Sequence, residues 1–182
     1  MDPYEGFAER YDCSFGLFGE NDQQVNEFFR QLPSHFQQSF DAVVCLSAIG
    51  FMTCEAEFLR AFESMIQVLR PGGMLILTAI PTDRQWREKP RFILTTNTPE
   101  FSRVFSIDYL DKKARYNILD VFHSREKNEL RIWSAELHVL LRDDQERLLK
   151  AAGFHRVVFY GAYDFSPYDK SISNSLITVA YR

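Results

Sequence analysis

The sequence predicts an α/β fold, and three observations carry that expectation. Residues 40–46 (FDAVVCL) and 74–80 (MLILTAI) are short, almost unbroken apolar runs, the pattern of parallel strands buried on both faces. Between them Phe58, Phe62, Met65, Ile66 and Leu69 recur at helical spacing, so the three segments read as one βαβ unit with a right-handed crossover. Further on, looser alternation broken by charged turns predicts an antiparallel sheet inserted ahead of a last helix and two strands.

In chain order, residues 3–12 (PYEGFAERYD) place Tyr4, Phe7, Ala8 and Tyr11 at helical spacing. Asn21 and Asp22 offer a cap to a second helix carrying Val25, Phe28 and Phe29, which Pro33 closes. The helix of the βαβ unit should stop at Arg70-Pro71-Gly72-Gly73, where proline cannot continue it and glycine can turn left-handed. Residues 81–100 hold Pro81, Pro90 and Pro99 and read as an irregular excursion. Strands follow over 103–109, 114–123 and 130–140. A helix then opens at Arg142-Asp143-Asp144 with Asp143 as its cap, buries Leu148, Leu149 and Ala152, and ends at Gly153. Strands over 155–163 and 176–181 should pair antiparallel, with a loop over 166–173 between them. The expected organisation is one domain over 1–182: lid helices in 1–32, the βαβ unit in 40–80, the insertion in 101–141, and a helix with a strand pair in 142–182.

Composition narrows the function classes. With 182 residues, 46% hydrophobic and 25% charged, the chain suits a single ordinary core. Aromatics reach 15%, which suits either a ring-rich core or a ring-lined pocket. A net charge of −4 without a dominant basic run disfavours phosphate-driven nucleic-acid binding. No apolar run approaches the ~20 residues of a membrane span. The opening residues, Met1 to Glu5, have no signal-peptide character, and Cys13, Cys45 and Cys54 lack CxxC spacing; together these predict a reducing, cytoplasmic setting. The histidines at 35, 123, 138 and 155 show no metal-ligand spacing, so no metal is expected. Neither a GxSxG elbow nor a phosphate-binding GKS/T loop occurs.

Five segments, in order, resemble the class I S-adenosylmethionine-dependent methyltransferases. FDAVVCL (40–46) resembles that family's fourth strand, LRPGGMLIL (69–77) a helix end and the fifth strand, LLKAAGFHRVVFYG (148–161) a late helix and the sixth strand, and LITVAYR (176–182) the seventh. PYEGFAERYD resembles the family's lid over the acceptor. The likeness is nearest to the glycine and sarcosine N-methyltransferases, which also carry an antiparallel insertion between strands five and six. It implies a truncated Rossmann-like sheet of order 4-5-7-6, S-adenosylmethionine as cofactor, and a small amine or amino acid as acceptor. Within it, Tyr11, Leu46 and Ser47 are the expected cofactor contacts, and Arg84, Tyr4 and His138 the expected acceptor contacts. Arg84 stands where the family grips a carboxylate with a guanidinium fork. His123, Trp86 and Trp133 are further candidates to line the acceptor pocket. No catalytic acid or base is expected, since alignment supplies most of the rate of methyl transfer.

One family feature is missing. The nucleoside normally sits on a glycine-rich turn after the first strand, where the backbone must approach closely. The eight glycines stand at 6, 16, 19, 50, 72, 73, 153 and 161, and none forms GxGxG after a strand. Two readings follow. One is an N-methyltransferase whose cofactor turn comes from a partner chain or a rearranged pocket. The other is a non-catalytic, dimeric remnant that binds a small ligand or a protein partner. Strand 40–46 would form an unguarded apolar edge, which predicts homo-oligomerisation through it.

Overall fold

The computed structural model describes residues 39–125 and 127–182, so the expected lid helices of 1–32 lie outside the described residues. Two four-stranded sheets organise the chain. In chain order the elements are β1 (Phe40–Leu46), α1 (Glu55–Val68), β2 (Leu69–Ala79), α2 (Asp83–Glu88), β3 (Phe92–Asn97), β4 (Phe101–Leu110), β5 (Lys113–Phe122), β6 (Glu129–His138), α3 (Arg142–Ala151), β7 (Arg156–Tyr160) and β8 (Leu176–Tyr181).

The first sheet has the order β1-β2-β8-β7, with β1 parallel to β2 and both remaining pairs antiparallel. This is the order expected from the sequence. Register explains the amphipathic build. Val43, Leu75, Ala180 and Val157 align in one row across all four strands. Phe58 and Phe62 of α1 and Leu148 and Leu149 of α3 pack onto that row's side. Each such side chain, fully buried, contributes roughly 1.5–3 kcal/mol relative to exposure. Buried Gln145 of α3 is satisfied on both ends, accepting from the Thr178 hydroxyl (2.5 Å) and donating to the Leu140 carbonyl (2.9 Å).

The second sheet, β3-β4-β5-β6, is antiparallel throughout. Its inner side carries Ile107, Ala114, Tyr116, Ile118 and Leu137, with Trp86 of α2 packed against them. At the far end of that side, buried Asp120 accepts two bonds from Arg103 (2.6 and 2.7 Å), whose guanidinium lies over the Phe101 and Trp133 rings.

Several expectations need correction. β1 is not buried on both faces: Phe40, Val44 and Leu46 are 48%, 58% and 58% exposed. These side chains alternate with core-facing Val43 and Cys45, so they share one face of the sheet, which no described element covers. Extended backbone resumes at Leu69, directly after α1. Partners jump from Phe40↔Leu69 to Ala42↔Met74, so Arg70 to Gly73 bulge out of the ladder. Residues 81–100 are not irregular. Thr82 and Gln85 form a reciprocal capping box that starts α2, and Phe92–Asn97 adds a fourth strand to the insertion. Asp143 does not cap α3. Leu141 holds the cap position without a side-chain bond, and Asp143 pairs instead with Arg142 and Lys170. The strand expected over 155–163 is shorter, Arg156–Tyr160.

Candidate functional site

In open α/β sheets, ligands gather outside the carboxyl ends of the parallel strands. Here those ends are Leu46-Ser47 of β1 and Ala79 of β2, and α1, α2 and α3 all begin nearby in the chain or in space. The loop after β1 passes through a 3-10 turn, Ile49–Phe51, packed on the end of β6. Gly50 permits this approach, since a Cβ there would stand 3.3 Å from the Leu137 side chain.

Between the amino ends of α1 and α3, beside Trp86 and the end of β6, lies a cavity of about 230 Å3. Its walls are Phe58, Trp86, Leu140 and Leu148, and its polar rim includes Lys112, His138, Glu55 and Arg147. His138 meets the Phe58 ring edge-on at 5.4 Å, and its Nδ1 is buried with no hydrogen-bond partner among the described residues. Trp86 leans on Tyr109 (5.7 Å), with the Lys89 ammonium over the indole at 5.6 Å. Arg147 closes one side. Its two terminal nitrogens donate to both Glu55 oxygens (2.7 and 2.8 Å), which ties the amino end of α1 to α3, and it also reaches Asp144 at 3.4 Å. That bond holds the Glu55 carboxyl below the usual carboxylate range.

The expected site residues fall into distinct places. Tyr4 and Tyr11 lie outside the described residues. Leu46 and Ser47 do stand at the carboxyl end of β1. The Ser47 amide, however, is already donated to the Thr78 carbonyl (3.1 Å) and hydroxyl (2.9 Å). Arg84 sits on α2 and fastens that helix to the segment before β8. It bonds both Glu88 oxygens (3.1 Å each), the Asn174 side chain (2.9 Å) and the Ile172 carbonyl (3.3 Å). His138 and Trp86 line the cavity. His123 and Trp133 do not: His123 bonds Ser102 (2.8 Å) at the remote end of β5, and Trp133 packs under Arg103. Period-two alternation brings these residues onto the sheet but not to its cavity end. Lys112, Glu55 and Arg147 were not singled out from the sequence; Glu55 and Arg147 are 92 positions apart and leave no local signal.

Asp83 marks a second polar junction. It accepts from the Tyr168 hydroxyl (2.7 Å) and the Arg142 amide (3.3 Å), while its own amide donates to Tyr168 (3.0 Å). Burial, reinforced by Asp83, pushes the Tyr168 phenol well above its usual range. This ties α2, the start of α3 and the loop before β8 into one frame.

No group of His, Cys, Asp and Glu among the described residues is arranged to hold a metal ion. No described helix is long and apolar enough to cross a membrane. Cys45 and Cys54 are free thiols, and burial pushes Cys45 upward.

A family model described as a methyltransferase domain matches residues 18–77. No curated protein matches the chain. Among solved structures, the CcbJ methyltransferase of Streptomyces caelestis aligns at a TM-score of 0.65 and 13% identity, over 80% of this chain and 61% of its own. An S-adenosylmethionine-dependent methyltransferase from Clostridium acetobutylicum aligns at 0.64 and 14% identity, over 100% of this chain and 72% of its own. S-adenosylmethionine-bound CalS10, an amino pentose methyltransferase from Micromonospora echinaspora, aligns at 0.59 and 19% identity, over 80% and 59%. The shared property is the fold: an α/β class I methyltransferase sheet with an antiparallel sheet beside it. The chain spans about three fifths of the length of CcbJ and CalS10.

The described residues do not fit S-adenosylmethionine as a complete cradle. The one described glycine in the loop after β1, Gly50, is packed against Leu137 instead of forming a glycine-rich turn, and the amide that follows β1, at Ser47, is already bonded. Close main-chain approach to a nucleoside needs both space and free amides.

Proposed function

We propose that this chain is the acceptor-side part of an S-adenosylmethionine-dependent methyltransferase that acts on a small amine or amino acid. Two things support the reading: the class I methyltransferase fold and the family match over 18–77. The carrying observation is β1. It is an apolar parallel strand whose outer edge is unpaired among the described residues, and no glycine-rich turn stands at its carboxyl end among those residues. A donor-binding strand and turn supplied by another polypeptide would pair there. What the chain's own residues contribute is placement: the Glu55–Arg147 pair and the Asp83–Tyr168 junction fix α1, α2 and α3 relative to the sheet. The expected cofactor contacts, Leu46 and Ser47, would then serve through Leu46 and the Ser47 hydroxyl rather than the Ser47 amide.

The test is methyl transfer from radiolabelled S-adenosylmethionine to a panel of amines, amino acids and amino sugars. The purified chain alone should show no turnover, and activity should appear, co-sedimenting with the chain, when source-cell extract is added back. Turnover by the purified chain would remove the need for a partner. Silence in both conditions would favour the second reading, a non-catalytic ligand-binding dimer. The exposed Phe40, Val44 and Leu46 motivate that second reading. About Val43, two antiparallel copies of β1 would place Phe40 opposite Leu46 and Ala42 opposite Val44, with Asp41 already paired to Arg70 of its own chain.

A further inference from the structure

We propose that the cavity between the amino ends of α1 and α3 binds a small organic acid, with one ring or branched apolar body and one carboxylate. The inference stands on the cavity alone and needs no methyl transfer. Size sets the first limit. A dry cavity of roughly 150 Å3 holds benzene, so the about 230 Å3 here admits a single ring plus a short acidic arm.

Charge sets the second limit. Four charged side chains line the space: Glu55, Asp144, Lys112 and Arg147. Arg147 engages both carboxylates, so those three neutralise one another apart from one residual negative charge shared at an exposed edge. Lys112 makes no ion pair among the described residues. It lines the cavity with His138, whose buried Nδ1 has no partner among the described residues. A buried polar atom left unpaired is destabilising, and a ligand oxygen accepting from Nδ1–H would satisfy it. The amino ends of α1 and α3 also meet here; neither cap residue, Cys54 or Leu141, makes a side-chain capping bond, although the first amide of α3, at Arg142, is taken by Asp83. Their partial positive charge adds to that of Lys112. Phe58, Trp86, Leu140 and Leu148 then receive the apolar body. An ammonium ligand would find the aromatic walls favourable, but it would have to sit beside Lys112 with both carboxylates already engaged.

Phenylacetate is the probe, titrated by calorimetry and by saturation-transfer NMR, with phenethylamine as the cationic counterpart of similar size. Phenylacetate should bind at submillimolar concentration, and phenethylamine about tenfold or more weaker, a difference of about 1.4 kcal/mol. Lys112→Asn should weaken phenylacetate binding about fivefold or more. Lys112 sits at φ 53°, which asparagine tolerates, so the turn should survive the change. His138→Phe should do the same with an unchanged melting temperature; should it fail to fold, Lys112→Asn decides alone. Equal or tighter binding of phenethylamine, no binding of phenylacetate at about 10 mM, or unchanged affinity in Lys112→Asn would each overturn the proposal.

Discussion

Gly72 and Gly73 are adjacent, yet the structure predicts that substituting them fails for different reasons. Gly72 has φ +78°, and no atom lies within 4 Å of where its Cβ would be. Its cost is purely conformational, about 1–2 kcal/mol for alanine in the left-handed region. Gly73 has the opposite problem. A Cβ there would stand 2.9 Å from the Arg70 oxygen, 3.0 Å from that of Phe40 and 3.1 Å from that of Asp41. All three are backbone atoms, so relief requires β1 to move off β2, and overpacking of this kind costs about 1–3 kcal/mol. Asparagine separates the two causes, because it tolerates the left-handed region but still carries a Cβ. Urea unfolding followed by circular dichroism should show Gly72→Asn within about 0.5 kcal/mol of the parent chain, while Gly72→Ala, Gly73→Ala and Gly73→Asn lose 1 kcal/mol or more. In thermal melts each kcal/mol corresponds to about 2–4 °C at this size. Gly73→Ala behaving like Gly72→Asn would refute the packing argument, and with it the register that places β1 at the site.

The remaining predictions are these. Val44→Lys places a charge on the exposed side of the β1 edge; if that edge pairs with another chain, sedimentation should shift to the monomer with little change in melting temperature. An unchanged sedimentation coefficient would remove β1 from the interface. Tyr116, buried at 4% exposure, has its phenol pushed above the ordinary range by burial, with Tyr109 adding to it. The folded state therefore keeps a proton that the unfolded state releases near pH ~10. That contribution is fully present below about pH 10 and is lost as pH rises toward the folded value, with a slope approaching about 1.4 kcal/mol per pH unit. Tyr116→Phe should flatten the alkaline arm of the stability curve, and an identical slope in both proteins would contradict the assignment.

Much of the scaffold was legible in the sequence because its signals are local. β1 and β8 run over the residues their apolar patterns mark, and α1 follows the spacing of Phe58, Phe62, Met65 and Ile66. α2 was hidden by Pro81 and Pro90, although Thr82 and Gln85 carry the spacing of a capping box. β3 was hidden in the same way between Pro90 and Pro99. Asp143 shows the limit of composition at a helix start: an acidic residue in the first turn complements the dipole without making the capping bond. The cavity was less legible. His138 and Trp86 were anticipated as ring-bearing pocket residues, but Lys112 reads as an ordinary charged turn. The Glu55–Arg147 clasp exists only because α1 and α3 share one face of the sheet. Arg84, expected to grip a ligand carboxylate, has its guanidinium bonded to Glu88, Ile172 and Asn174, partners that local sequence could not supply.

Calorimetric titration of S-adenosylmethionine into the purified chain tests the central claim most directly. Because the amide after β1 is committed to Thr78 and no glycine-rich turn adjoins it among the described residues, the account predicts no saturable heat even at millimolar ligand. Saturable micromolar binding at one molecule per chain, retained in the Val44→Lys monomer, would show that a single copy encloses the cofactor unaided, contrary to the account.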